Sequence, residues 1–275
     1  MKNHTALPNW SEDLATKDLP KEFHVAGENS QPPMGDETLD ALFNGKLQLW
    51  QSRRGYRFSL DALLLAHFAT VKTGAQVADL GTGSGVIALV LASLHANVAV
   101  IGFEAQPAMV ERAQKNVKLN RLEKQIQIRR GDVRFIESLG SPQSVDVVVC
   151  NPPYRRRESG RTSPNDEKQI ARHEIHGALN DFLNAGAFLL RPKGRIALVY
   201  LASRAVDLLA SMRAFKIEPK RLRMVHSFCG GAASLVLVEG VKGGRAGARI
   251  EPPLMIYRRG KEYSDEAAAI IAGSE

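Results

Sequence analysis

The chain has 275 residues, 44% of them hydrophobic, a formal net charge of +8 and two cysteines. That length allows one large domain or two small ones with a real core; no apolar run reaches the roughly 18–20 residues that span a bilayer, and the polar N-terminus lacks an apolar secretory segment. Cys150 and Cys229 suit neither a disulfide framework nor a zinc pattern, so a cytoplasmic protein without a bound metal is expected.

The charge is unevenly spread. Residues 1–40 hold three lysines and eight acids, a net of −5, and the remainder carries +13. A body this basic points to a polyanionic partner, most simply a nucleic acid, although the same charge also serves solubility.

Residues 1–36 are polar, punctuated by Pro8, Pro20, Pro32, Pro33 and Gly35, and read as a loosely ordered tail. "LQLWQSRRGYRFS" alternates apolar and polar residues on either side of Arg53-Arg54-Gly55 and predicts a hairpin turning there. "SLDALLLAHFA" follows as a helix with Ser59 as N-cap. From Gln76 the pattern becomes strand ("QVADL"), glycine-rich turn, helix ("GVIALVLASL"), strand ("NVAVIGFE") and an amphipathic helix opening at Pro107. "QIQIRRGD" and "VDVVVC" are further strands, "LNDFLNAGAFLL" a helix and "GRIALVYL" a strand. Alternation of this kind implies a mostly parallel sheet with helices on both faces. "FKIEPKRLRMVHS" and "ASLVLVEGV" are consecutive strands with no helix between them, which predicts an antiparallel addition at one edge.

"VADLGTGSGVIAL" places Asp79 at a strand end, then Gly81, Gly83 and Gly85 before a helix. Ligands of such sheets bind at the carboxyl ends of the strands, and glycines there let the backbone turn tightly against them. A dinucleotide site has the spacing G-x-G-x-x-G, with pyrophosphate on the helix N-terminus. Here the spacing is G-x-G-x-G with an acid just before it, which would repel pyrophosphate and attract an ammonium group. Glu104 ends the next strand, where a carboxylate can accept from ribose hydroxyls. Asp132 follows the third strand, where it can accept from an adenine amine. Ammonium, ribose and adenine together outline S-adenosylmethionine. Thr82 in the loop and Val133 beside Asp132 join this donor-binding set, with Asn151 on the next strand.

That strand, "VDVVVC", stops on Asn151, Pro152, Pro153 and Tyr154. Proline cannot continue a ladder, so the pair ends the strand abruptly and stiffens the turn. The Asn151 side-chain oxygen and the Pro152 carbonyl can then accept both hydrogens of a planar NH2 group. Holding them favours a tetrahedral nitrogen with its lone pair aimed at a methyl donor. Tyr154 can stack on the flat group that bears the amine. A base in a duplex cannot reach such a pocket, so the target is flipped out or unpaired. Arg155, Arg156, Arg157 and Arg161 are expected phosphate contacts, and Arg54 and Tyr56 (with Arg53) line the target groove. His173 and Glu174 fit a lid or an ordinary helix surface equally well.

"DLGTGSG" with "NPPY" resembles the amino-group methyltransferases that use S-adenosylmethionine. "LFNGKLQLWQSRRGYRFSLDALLLA", "NPPYRRRESGR", "ARHE" and "EPPLMIYRRGKEYSDE" resemble the bacterial tRNA adenine-N6 methyltransferases that modify the adenine beside the anticodon of a valine tRNA. The resemblance covers about residues 38–265. It implies an α/β, Rossmann-like fold with a seven-stranded, mostly parallel sheet, an antiparallel edge strand and helices on both faces. The chain's organisation is accordingly expected to be the tail over 1–36 and a methyltransferase domain over 37–275: hairpin and helix over 37–70, sheet core over 76–241, C-terminal extension over 242–275. By the same resemblance Asp79, Gly81, Gly83, Glu104, Asp132 and Asn151 would contact the donor, while Asn151, Pro152 and Tyr154 would hold the amine of a tRNA adenine. The acidic N-terminal stretch departs from the family pattern. Competing readings are a glutamine N5 methyltransferase of a protein release factor, an rRNA adenine or guanine amino-methyltransferase, and an RNA-binding protein with a degenerate donor site. Oligomeric state is not legible.

Overall fold

The computed structural model describes residues 37–53, 58–153 and 179–274. It opens with an antiparallel hairpin of β1 (Glu37–Leu42) and β2 (Leu47–Ser52). This hairpin turns at Phe43–Lys46; the turn expected around Arg53-Arg54-Gly55 runs into residues 54–57, outside the described residues. Phe43, Asn44 and Gly45 have φ of 54°, 54° and 86°, the left-handed geometry that an Asn-Gly pair supplies at low cost. Helix α1 (Leu60–Phe68) follows; Ser59 stands at its N-cap, but its side chain makes no capping bond.

The large sheet is built from β3 (Gln76–Leu80), β4 (Ala99–Glu104), β5 (Ile126–Arg130), β6 (Val145–Cys150), β7 (Leu190–Leu201), β8 (Ile217–His226) and β9 (Ala233–Lys242). The connecting helices are α2 (Val86–Leu94), α3 (Pro107–Leu119), α4 (Leu179–Leu189) and α5 (Ala205–Ala214). Spatial order is β8-β9-β7-β6-β3-β4-β5, and the short strands β10 (Arg249–Ile250) and β11 (Leu254–Met255) run parallel along β8. The pairs β3–β4, β3–β6, β4–β5 and β6–β7 are parallel. Strand β9 is antiparallel to both β7 and β8. Among the seven long strands the antiparallel one thus lies one position inside the edge. β8, separated from β7 by helix α5, takes the outer place, and β9 returns through the gap between them.

The near-continuous apolar runs of β6 and β7 follow from burial on both faces. Val147, Val149, Ala197 and Val199 pack with α1, α2 and α3. Their alternates Val148, Cys150, Ile196, Leu198 and Tyr200 pack with α4 and α5. Helix α3 shows the periodicity that docks it: Met109, Val110, Ala113, Asn116 and Val117 are its buried positions. The chain ends in a small hairpin of β12 (Tyr257–Arg259) and β13 (Glu262–Tyr263), then α6 (Asp265–Ala272). Ser264 caps α6 by accepting from the Ala267 amide at 3.1 Å, and Gly273 closes it with φ 68°. Among the described residues no helix is long and apolar enough to cross a membrane.

Candidate functional site

The carboxyl ends of β3, β4, β5 and β6 lie side by side, because Leu80 pairs with both Phe103 and Cys150, and Glu104 pairs with Arg130. The residues that follow these ends form the site. After β3 the chain turns through Gly81, Gly83 and Gly85, with φ of 68°, 58° and 86°. The amides of Gly81 and Thr82 donate to the Phe103 carbonyl at 2.9 and 3.0 Å, which ties the loop to β4. Gly102 makes that approach possible: a Cβ there would lie 2.9 Å from Thr82 Oγ1 and 2.8 Å from the Ile128 side chain. A Cβ on Gly81 would lie 3.1 Å from the Phe182 ring, so α4 forms the opposite wall of the loop.

Asp79 is fully buried under this loop. One carboxylate oxygen, Oδ2, accepts from the Thr82 hydroxyl at 2.6 Å. The other, Oδ1, is buried without a hydrogen-bond partner. Burial pushes the carboxyl up to about 7, opposed by the Thr82 hydroxyl, reinforced by the Glu104 charge and opposed more weakly by the Ala88 amide, which does not reach Oδ1 as a hydrogen bond. A buried carboxylate oxygen left unpaired is costly unless a cation or strong donor completes it. The residue therefore fits the ammonium group expected from the sequence.

Glu104, also buried, accepts from the Gly83 amide at 3.0 Å and the Gln106 amide at 2.9 Å, one through each oxygen. Burial raises its carboxyl, and these amides draw it back. Each oxygen keeps a second lone pair for a hydroxyl donor. Asp132 stands two residues beyond β5. Its carboxylate receives the Arg134 guanidinium, with Nη2 at 2.6 Å and Nε at 3.0 Å. An adenine amine would share that carboxylate with Arg134. Val133 is buried beside it, and Phe135 is 60% exposed at the same rim.

On the other side of β3, strand β6 delivers Asn151, Pro152 and Pro153. Asn151 and Pro153 are half-buried and Pro152 is buried. Cys150, just before them, is buried and its thiol is raised by desolvation, which makes it inert filler. The structure thus brings Asp79, the glycine loop, Glu104, Asp132 and Asn151-Pro152 to one edge of the sheet. Tyr154, Arg155, Arg156, Arg157, Arg161, His173, Glu174, Arg54 and Tyr56 lie outside the described residues. Among the described residues no three His, Cys, Asp or Glu side chains gather as a metal site.

Sequence reasoning missed two supporting residues. Asn116, buried on α3, accepts from the Trp50 amide at 2.6 Å and donates to the Trp50 carbonyl at 3.1 Å and the Ser84 carbonyl at 2.9 Å. It pins β2 and the glycine loop to the same helix. Gly102 was also unflagged, although a glycine inside an apolar strand signals a close approach.

The sequence profile of the methyltransferase small domain family matches residues 60–213. A tRNA1(Val) (adenine(37)-N6)-methyltransferase of Porphyromonas gingivalis is 31% identical over 177 residues, covering 62% of this chain and 69% of the relative. The chain belongs to the methyltransferase small domain family, and within it to the group of the tRNA1(Val) (adenine(37)-N6)-methyltransferases. A member of the group from Tolumonas auensis is 29% identical over 68% of this chain and 77% of its own length. Among solved structures, a predicted O-methyltransferase of Agrobacterium tumefaciens superposes with a TM-score of 0.64 at 20% identity, covering 78% of this chain and 96% of the other. That likeness concerns the fold. The site assembled above lies at the methyltransferase small domain's sheet edge, and all its described residues except Asn116's partner Trp50 fall inside the matched span.

Proposed function

We propose that the protein transfers a methyl group from S-adenosylmethionine to the exocyclic N6 of an adenine in tRNA, the adenine beside the anticodon at position 37. The observation that carries the donor assignment is the buried, unpartnered Oδ1 of Asp79 beneath the glycine loop. The group to which the chain belongs supports the acceptor.

When bound, the donor supplies an electrophilic sulfonium methyl. Asp79 pairs with its ammonium, Glu104 accepts from its ribose hydroxyls, and Asp132 with Val133 flanks its adenine. Asn151, one strand away from Asp79, offers a side-chain oxygen, and the rigid turn at Pro152-Pro153 offers the Pro152 carbonyl. These two acceptors hold the hydrogens of the target NH2 and localise its lone pair. No strong base is needed while the proton leaves, because the methylated nitrogen is strongly acidic and loses its proton to water. Tyr154 stacks on the flipped base, and the arginines from 155 to 161 contact phosphates.

The test is transfer of labelled methyl groups to tRNA, rRNA and a protein release factor in separate reactions, followed by nucleoside and amino-acid analysis. The expected product is N6-methyladenosine in tRNA alone. Label in glutamine of the release factor, or in guanine, would overturn the assignment.

A further inference from the structure

The carboxyl edge of the sheet continues beyond the donor site to β8, and what stands there is not used by the chemistry above. β11 runs parallel to β8, with Leu254 beside Val225 and Met255 beside His226. The Ile256 and Tyr257 amides then donate to the carbonyls of His226 and Ser227 at 2.8 and 2.9 Å. The chain therefore climbs past the carboxyl end of β8 before β12 and β13 turn over as a hairpin. The Ser264 amide closes this hairpin on the Ile256 carbonyl at 2.9 Å. Because β8 points the same way as β3, β4 and β6, the hairpin projects on the side where Asn151 emerges. Three strand spacings separate β8 from β6, a distance of about 14 Å.

Two features of this corner converge. Phe228, in the turn after β8, Tyr257 and Tyr263 form a continuous ring stack. Phe228 and Tyr257 have centroids 5.4 Å apart, and Tyr257 and Tyr263 stack at 5.2 Å and 24°. All three rings are half-exposed. The tip above them carries Arg258, Arg259 and Lys261, all exposed. Arg258 is tied to Glu262 and Asp265. Arg259 and Lys261 have no acidic partner among the described residues. Tyr257 and Tyr263 also pack against the core beneath them, which anchors the ladder, whereas Phe228 at its end and the two unpaired cations at the tip are not accounted for by that packing.

We infer that this corner is a platform for single-stranded RNA beside the target adenine: Phe228, the end ring of the ladder, stacks on an unpaired base with Tyr257 and Tyr263 backing it, while Arg259 and Lys261 contact the adjoining phosphates. The proposal rests on the tRNA reading above and adds the surface that grips the strand. Stacking on a ring ladder suits a loop nucleotide, since paired bases hide their faces. A platform built on β8, three strands away from β6, holds the RNA strand without entering the site.

The test is equilibrium binding of unmodified tRNA to the full chain across a salt series, with donor affinity measured separately without RNA. Arg259→Ala with Lys261→Ala should weaken tRNA binding and lower the log–log salt slope by about 1.5. Phe228→Leu, which keeps apolar volume and removes the ring, should weaken binding on the order of tenfold. Donor affinity equal to wild type shows that each variant is folded. Wild-type tRNA affinity and salt slope in both variants would overturn the platform. The binding measurement reads the hairpin whether or not label reaches tRNA, so failure of the platform is distinguishable from failure of the proposed reaction. Tight binding to a release factor lost in the same variants would also overturn the RNA assignment.

Discussion

Asp79→Asn isolates the electrostatic core of the donor site. The folded protein holds this carboxyl at about 7 by burial, against about 3.9 in an unfolded chain. Between those values the folded state keeps a proton that the unfolded state has lost, so its contribution to stability declines as pH rises from about 4 to about 7. Integrated over that window, ionised Asp79 costs the ligand-free fold about 4 kcal/mol, and the part incurred between pH 5 and pH 8 is about 2–3 kcal/mol. Asparagine keeps the shape and removes the charge. Urea unfolding without donor should therefore show Asp79→Asn gaining about 2–3 kcal/mol relative to wild type on going from pH 5 to pH 8. The same substitution should remove most donor affinity, because the ammonium loses its counter-charge. In wild type, donor binding must ionise Asp79, so affinity should fall as pH drops below about 7. An Asp79→Asn variant with wild-type donor affinity, or with the same pH dependence of stability as wild type, would refute the reasoning.

Asn116→Ala strips hydrogen bonds from the Trp50 amide, the Trp50 carbonyl and the Ser84 carbonyl. At about 1 kcal/mol each it should cost about 3 kcal/mol in urea unfolding, and donor affinity should fall because Ser84 sits in the glycine loop. Glu239, fully buried, receives the Thr70 amide at 2.8 Å and Arg195 at 2.6 Å, with Arg221 at 3.5 Å. Glu239→Ala should cost about 2–4 kcal/mol by denaturant midpoint, while donor affinity of the folded fraction stays unchanged.

What the sequence revealed and concealed follows from the range of the interactions involved. The glycine loop, Asp79, Glu104 and the Asn151-Pro152 stop were legible because their chemistry is local: each is a short segment at a strand end. The turn at Asn44-Gly45 went unread because its preceding strand, "ETLDAL", shares the acidity of the N-terminal stretch. The inward place of β9 depends on pairing between distant strands, which no local pattern encodes. Asn116 reads as an ordinary helix-surface amide until β2 is packed against it. β10 to β13, of two or three residues each, are too short for any periodicity to register.

The central claim is that the turn after β6 holds the target amine. Single-turnover transfer from saturating donor to saturating unmodified tRNA, read as N6-methyladenosine, tests it most directly in wild type and Asn151→Ala. Removing one of two preorganised acceptors should slow transfer by about 10²–10³, with tRNA affinity little changed because most of it comes from phosphate contacts. Near-normal transfer by Asn151→Ala would contradict the account and place activation of the amine elsewhere.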